Sequence, residues 1–188
     1  MHAPVISISM PAYNVEKYIG EAIESILAQS FTDWELIIVD DCSKDKTLAI
    51  ASEYAAKDSR IRIIKRKENS GSARLPRFDG ILSACGEYIL FLNAGDKFAD
   101  ENVLFRASES IRCSSADILY GNIVEIDEGS NHLRIYTEKN SQIWYYSLGA
   151  CLCHQGMFCK RELFQKKLFD ISYKVCSDRE WQLYHIKN

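Results

Sequence analysis

The chain has 188 residues, of which 47% are hydrophobic and 26% are charged, a composition typical of one globular domain. Its 23 basic and 26 acidic residues give a formal net charge of −3, whereas proteins that bind nucleic acid through phosphate contacts are normally basic. The 7 cysteines are odd in number and follow no secreted disulfide spacing, which favours a reducing cytoplasm. The composition excludes a disordered chain and disfavours a nucleic-acid-binding protein.

Two hydrophobic periods alternate along the first half of the chain. Short apolar runs predict strands at 5–10, 35–41, 61–65, 87–92 and 116–126. Spacings of three and four residues predict helices at 15–30, 48–56, 76–84 and 100–112. Ser43 and Asp45 are candidate caps of the second helix. The alternation predicts an α/β protein with a parallel sheet covered by helices on both faces.

The pattern changes after residue 114, which divides the predicted domain into halves at 1–114 and 115–188. The second half begins with a predicted hairpin that turns at 128–131. A stretch without Asp, Glu, Lys or Arg follows at 140–159, but its amides and histidine make it too polar for a lipid-spanning helix, which predicts a soluble protein. Two predicted helices complete this half, at 160–169 and from Ser177 onwards.

The loops that leave the predicted strands carry the chemistry. In a parallel α/β sheet the ligand lies beyond the carboxyl ends of the strands. Acidic residues concentrate at this edge, at Asp40, Asp41, Asp45 and Asp96. Because neighbouring carboxylates repel each other, their concentration indicates a bound cation or polar ligand.

Four motifs at these strand ends form a recognisable series. They are Pro-Ala-Tyr-Asn at 11–14, ELIIVDDCSKDKT from Glu35, Asn-Ser-Gly at 69–71 with Pro-Arg-Phe-Asp-Gly at 76–80, and His-Gln at 154–155 with CSDREW at 176–181. In this order they resemble the family 2 glycosyltransferases with a GT-A fold. The resemblance implies a Rossmann-like, mostly parallel sheet with a small C-terminal extension on the acceptor side.

The resemblance also implies an activity. It is inverting transfer of a sugar from a UDP-sugar donor to a saccharide or lipid-linked acceptor, in bacterial surface polysaccharide synthesis. The alternative is a non-catalytic nucleotide-sugar-binding domain, or a truncated fragment of a longer enzyme. A nucleotidyltransferase is disfavoured because the loop at 11–14 has neither the glycine nor the lysine of a phosphate-binding loop.

The first two motifs supply the implied nucleoside site. Tyr13 would stack on the base and Asp41 would bond its edge, with Pro11, Asn14 and Asp40 beside them. An aromatic face with a fixed acceptor suits a uracil. The alternatives are that Tyr13 is a core aromatic residue and that Asp41 caps the following helix.

The resemblance places Arg74 and Arg77 near the diphosphate, whose oxygens match the donors of a guanidinium. The alternative is a solvated arginine at a helix start. Phe78 departs from the asparagine that the family usually has there.

A second departure is Asn93-Ala94-Gly95-Asp96 in place of the family's Asp-x-Asp-Asp. Asp96 matches the position that contacts Mg²⁺ or Mn²⁺, and Asn93 could contribute a neutral oxygen or bond a ribose hydroxyl. A related Asn-Ser-Gly-Asp sequence occurs in a subset of the family. The alternative is a plain turn.

Asp178 is the expected catalytic base, with Glu180 as the second candidate, and both could instead be ordinary acidic residues in the first turn of a helix. His154 could contact the pyrophosphate or the acceptor, or simply be hydrogen-bonded in place.

Two other features of the second half have competing interpretations. Cys151, Cys153 and Cys159 lack the paired spacing of a zinc site. The aromatic residues 144–146 could line an acceptor groove or, with nearby basic residues, contact the inner face of an anionic membrane. The oligomeric state is not predicted.

Overall fold

The protein is described here from a computed structural model covering residues 3–126, 133–136, 154–170, 181–182 and 184–185. The strands are β1 (Ile6–Ala12), β2 (Trp34–Asp40), β3 (Ile61–Lys65), β4 (Tyr88–Phe91), β5 (Ile118–Tyr120), β6 (Ile123–Ile126), β7 (Leu133–Tyr136) and β8 (Met157–Lys160). The helices are α1 (Ile19–Leu27), α2 (Thr47–Ala55), α3 (Arg74–Ser83), α4 (Val103–Ser114) and α5 (Arg161–Lys166), and a 3₁₀ turn spans His154–Gly156.

Six strands form one sheet in the order β3-β2-β1-β4-β8-β5. The first four are parallel to their neighbours, whereas β8 is antiparallel to both β4 and β5. Every residue of β1, β2 and β4 is buried, as expected for central strands covered on both faces. The predicted α/β class and mostly parallel sheet are therefore confirmed.

Alternate side chains of the central strands enter two hydrophobic clusters. Leu36 and Ile38 of β2 join the cluster beneath α1, α2 and α4, while Ile37 and Val39 join the one beneath α3 and α5. Successive strand residues point to opposite faces of a sheet, so a continuous apolar run supplies both clusters.

The predicted strand at 116–126 is wrong as a single element. The structure divides it into β5, which lies in the large sheet, and β6, which pairs with β7 in a separate two-stranded sheet. At the break, the Gly121 N–H donates to the Gly156 carbonyl over 2.8 Å. A Cβ atom on Gly156 would lie 2.6 Å from the Gly121 oxygen, so this backbone approach requires a glycine at 156.

The other elements of the second half follow the predictions more closely. β6 and β7 are antiparallel, which confirms the hairpin, although its predicted turn lies outside the described residues. The predicted basic helix is α5, and Trp181–Gln182 and Tyr184–His185 are helical. Strand β8 was not predicted. In the part of the chain that the structure describes, no helix is both long enough and apolar enough to span a membrane.

Candidate functional site

The carboxyl ends of β1, β2, β3 and β4 meet at one edge of the sheet because these strands are parallel. Strand β8 runs the other way, so the 3₁₀ turn that precedes it lies at the same edge. Residues from the beginning of the chain and His154, far along it, thereby come together. This edge is the candidate functional site.

Hydrogen bonds tie the loops after β1 and β2 together at this edge. The Asn14 N–H donates to Ser43 Oγ over 3.1 Å, and the Lys44 N–H donates to Asn14 Oδ1 over 2.8 Å. The Val15 N–H donates to Thr47 Oγ1 over 2.8 Å. Asn14 has a φ of 51°, a left-handed conformation that asparagine tolerates better than most residues. The two loops form one surface.

Tyr13 and Pro11 lie where β1 meets this surface. The side chain of Tyr13 is 44% exposed, so the core-aromatic alternative is wrong. Pro11 is buried inside β1 and pairs with Val39 of β2. The ring nitrogen of Pro11 points towards β4. The pairing of β1 with β4 ends two residues earlier, at Ser9. The missing N–H of Pro11 therefore leaves no partner on β4 unpaired.

Asp41 organises the loop after β3. Its carboxylate is almost fully buried and accepts hydrogen bonds from the Ser70 N–H at 3.0 Å, Ser70 Oγ at 2.8 Å and Asn69 Nδ2 at 3.0 Å. Arg66 Nε lies 2.9 Å from Asp41 Oδ1 as an ion-pair partner, and the same guanidinium contacts Asp79 of α3. Asp41 is thus a buried anchor with several partners.

The structure separates the roles of the neighbouring acidic residues. Asp45, not Asp41, supports the start of α2, since Asp45 Oδ1 accepts the Thr47 N–H at 2.9 Å. The capping alternative for Asp41 is therefore wrong. Asp45 bonds the first residue of α2, although the N-cap position itself is Lys46. Asp40 is buried at the end of β2, where its carboxylate accepts the Ser43 N–H at 3.3 Å.

A chain of hydrogen bonds connects α3, the turn after β4 and the turn before β8. One terminal nitrogen of Arg77 donates to Asn93 Oδ1 over 3.1 Å and lies 2.7 Å from His154 Nε2. Asn93 Nδ2 donates in turn to Asp96 Oδ2 over 2.8 Å. Four predicted site residues from three segments are thus linked by three pairwise contacts. Arg77 is not the solvated arginine of the alternative interpretation.

Arg74 lies one turn before Arg77, at the start of α3, and its Nε donates to Ser72 Oγ over 3.2 Å. Both arginines are half-buried. The N-terminal end of a helix carries a partial positive charge, which adds to the two guanidinium charges. This end of α3 is therefore suited to an anion.

The turn after β4 offers a limited set of metal ligands. The Asp96 N–H donates to the Asn93 carbonyl over 2.9 Å, which closes a tight turn. Among the residues that the structure describes, no three His, Cys, Asp or Glu side chains group into a metal site. One half-buried carboxylate and an amide fit Mg²⁺ or Mn²⁺ when substrate phosphates complete the coordination. Asp96 is the carboxylate of this turn that would hold the ion.

Several predicted residues lie outside the described residues: Asp178, Glu180, the aromatic residues 144–146, Cys151 and Cys153. Cys159, in contrast, is a buried free cysteine of β8. Burial raises the pKa of its thiol, so it is a neutral core residue in this structure.

Comparison with known proteins decides the family. Residues 7–168 match the family described as Glycosyl transferase family 2. The chain belongs to this family. It is 40% identical over 100 residues to the "Putative teichuronic acid biosynthesis glycosyltransferase TuaG" of Bacillus subtilis, an alignment covering 53% of this chain and 39% of that protein. It is 28% identical over 181 residues to "Glycosyltransferase GlyG" of Streptococcus pneumoniae, covering 88% and 60%.

Solved structures agree with this assignment to family 2. S. aureus TarS 1–349, crystallised in complex with UDP, superimposes with a TM-score of 0.78 at 27% identity. The match covers 94% of this chain and 53% of that one. The chain therefore spans less than two thirds of these relatives, and its sheet has the GT-A arrangement.

Sequence reasoning missed the residues that hold Asp41 in place. The candidate site residues of this family 2 chain did not include Arg66, Asn69, Ser70 or Asp79. The first three contact Asp41 directly, and Asp79 contacts it through Arg66. Two signals were available. Arg66 directly follows β3, and Asn69 and Ser70 belong to one of the four motifs.

Proposed function

We propose that the chain is the donor-binding and catalytic part of an inverting glycosyltransferase. Its donor is a UDP-linked hexose or N-acetylhexosamine, and its acceptor is a saccharide or lipid-linked saccharide of a bacterial surface polysaccharide. The observation that carries this proposal is the contact chain of Arg77, Asn93, Asp96 and His154 at the carboxyl edge of the sheet. Membership of family 2 and the UDP complex of TarS support it.

The nucleoside is proposed to bind on the loops after β1 and β2. Tyr13 has an exposed ring for stacking on a base, and Asn14 fixes the loop beside it. Asp40 and Asp41 are buried below this surface. Since Asp41 holds Asn69 and Ser70, it would shape the pocket for the base edge as well as accept from it.

The diphosphate is proposed to lie at the start of α3, beside Arg74 and Arg77. Departure of the nucleoside diphosphate leaves negative charge on its terminal phosphate, and fixed cations that face this charge lower the barrier. A divalent ion at Asp96 would supply further charge neutralisation when bound. The guanidinium of Arg77 is held in advance by Asn93 and His154, so little reorganisation is needed when the charge develops.

Asp178 is proposed as the general base, in the acceptor-side half at 115–188. Its carboxylate would take the proton of the acceptor hydroxyl while the acceptor oxygen attacks the anomeric carbon. The bond from that carbon to the diphosphate oxygen breaks on the opposite face, which inverts the configuration. The second candidate function, a non-catalytic nucleotide-sugar-binding domain, is favoured by the replacement of acidic residues in the turn at 93–96.

The test is calorimetric titration of UDP with Mn²⁺ and then with excess chelator. We expect wild-type binding to require the metal, and Asp96→Ala to abolish this metal-dependent binding of UDP. Asp178→Asn is the matched control, since a base for the acceptor should affect sugar transfer and leave UDP affinity nearly unchanged. Absence of nucleotide binding would overturn the whole proposal. If Asp178→Asn binds UDP and still transfers sugar normally, the assignment of Asp178 as the base is overturned. If the wild type binds UDP but transfers no sugar, the non-catalytic domain is favoured.

A further inference from the structure

Arg66 joins two parts of the candidate site that come from different elements. It directly follows β3, and its Nε lies 2.9 Å from Oδ1 of Asp41, the residue that follows β2. A terminal nitrogen of the same guanidinium bonds the carboxylate of Asp79 on α3. The donors of a guanidinium form a rigid, planar fork, so this one side chain fixes the spacing between the two carboxylates.

The burial of this arrangement distinguishes it from a surface ion pair. The side chain of Arg66 is 18% exposed, that of Asp41 is 4% exposed and that of Asp79 is 30% exposed. Exposed ion pairs contribute little because water screens them, whereas charges that are partly removed from water attract each other more strongly. The Arg66 N–H also donates to the Asp40 carbonyl over 2.9 Å, which holds its backbone beside the end of β2. The guanidinium is therefore a fixed connection between Asp41 and α3.

A second connection runs through the loop after β3 and reaches the start of α3. Asp41 accepts a hydrogen bond from the Ser70 N–H. Ser70 Oγ lies 2.6 Å from the carbonyl oxygen of Ser72, and Ser72 Oγ accepts a hydrogen bond from Arg74 Nε. Asp41 is thereby connected to α3 at Arg74 as well as through Arg66.

These connections join the two ends of the donor site. In that site, which this inference takes from the proposed function, Asp41 belongs to the nucleoside end, and Arg74 and Arg77 of α3 belong to the diphosphate end. UDP has to reach both ends at once, and a ligand of two linked parts gains affinity only where the geometry lets both parts bind together. We propose that Arg66, through Asp79, is a positioning residue that sets the spacing of the two ends to match one nucleoside diphosphate.

Asp79→Ala tests this proposal because it breaks the connection to α3 and leaves Arg66 on Asp41. We expect UDP affinity to fall about tenfold, a coupling typical of residues that share one ion-pair network. Uridine and pyrophosphate each occupy only one end, so their affinities should stay near those of the wild type. Charge alone predicts the opposite sign for UDP, since removing an acidic side chain from α3 makes this helix more attractive to an anion.

Calorimetry in Mg²⁺ measures the affinities of UDP and pyrophosphate, and NMR titration measures that of uridine, whose binding is weaker. Asp79→Glu keeps a carboxylate for Arg66 and should recover most of the UDP affinity. Asp58→Ala is the matched control, because it removes the carboxylate partner of Arg60, which precedes β3 at the opposite edge of the sheet. It should leave all three affinities unchanged.

Two results would overturn the proposal. In the first, Asp79→Ala binds UDP as tightly as the wild type, or more tightly. In the second, uridine and pyrophosphate lose affinity by the same factor as UDP, which would mean that the substitution damages each end by itself.

Amide hydrogen exchange of the free protein separates failure of this proposal from failure of the proposed function. The Arg77 N–H is bonded within the first turn of α3, and the Ser70 N–H donates to Asp41. Asp79→Ala should speed exchange of the first amide and not of the second, and Asp58→Ala should speed neither. Unchanged exchange of the Arg77 amide would overturn the positioning role. If this pattern is found but the wild type binds no UDP, the nucleotide part fails with the proposed function, and the connection to α3 stands.

Discussion

At the scale of single residues, the proposed nucleoside site combines a buried carboxylate, Asp41, with an exposed aromatic ring, Tyr13. Asp41 has Ser70, Asn69 and Arg66 as partners, so its burial is compensated. A buried carboxylate with this many donors is held rigidly in place, as the proposed site requires. Tyr13 has an exposed side chain, and stacking of a base requires an accessible ring.

Replacing Tyr13 tests this combination. Tyr13→Ala should weaken UDP binding about tenfold, since stacking of a base on an aromatic ring contributes roughly 1–3 kcal/mol. Tyr13→Phe keeps the ring and should bind much more tightly than the alanine variant. Pyrophosphate, which has no base, is the control ligand, and its affinity should be equal in all three proteins. Calorimetry measures each affinity, and an equal loss for pyrophosphate would show that Tyr13 acts on the loop instead.

At the scale of elements, the position of Arg77 depends on how closely α3 packs against β1. A Cβ atom on Gly80 would lie 2.0 Å from Ser9 Oγ and 3.0 Å from Ser9 Cβ, so the helix backbone rests directly on the strand. That contact sets the height of α3 above the sheet. It therefore sets the reach of Arg77, one turn earlier, towards Asn93 and His154.

Gly80→Ala should consequently destabilise the folded protein, although alanine is the better helix former. We expect the free energy of unfolding to fall by about 1–3 kcal/mol because the added methyl group overpacks the interface. Gly20→Ala in α1 is the matched control, since the nearest described atom to its Cβ would be the Tyr54 hydroxyl oxygen, at 3.7 Å. It should stabilise the protein by up to about 1 kcal/mol. Urea denaturation measures both values, and equal effects would contradict the role of this contact.

The same elements show what the sequence could predict. Apolar runs located β1 to β4, and helical periodicity located α1 to α4, because both signals are local. Strand β8 was missed because its position between β4 and β5 is decided by tertiary pairing, which leaves no local signal. The Arg77 contacts with Asn93 and His154 were missed for the same reason, although each of these residues was a candidate. Their partners lie 16 and 77 positions away.

At the scale of the whole molecule, the edge of the sheet opposite the candidate site carries a charged network that fastens the strands together. Glu35, near the start of β2, accepts hydrogen bonds from Ser7 Oγ of β1 at 2.6 Å and from the Cys85 N–H at 2.7 Å. Arg62 of β3 bonds Glu35 and also the carbonyl of Ser83, at the end of α3. One carboxylate thereby connects three strands and, through Arg62, α3.

This network predicts how stability depends on pH. Burial raises the pKa of Glu35, but the hydrogen bonds from Ser7, Arg62 and Cys85 outweigh burial and place that pKa below its ordinary value. A carboxyl group with a depressed pKa stabilises the folded state fully above its unfolded pKa, about 4.3. That contribution is lost as the pH falls through the lower, folded pKa.

Glu35→Gln removes the titrating group and leaves an amide that cannot accept from all three donors. The wild type should be more stable than this variant by about 1–3 kcal/mol at pH 7, and the difference should shrink below about pH 4. Urea denaturation across that range measures it. Glu109→Gln, which removes an exposed partner of Arg112, should differ little from the wild type at any pH. If the stability difference between the wild type and Glu35→Gln stays constant down to pH 3, the packing of this side chain, and not its charge, holds this edge of the sheet together.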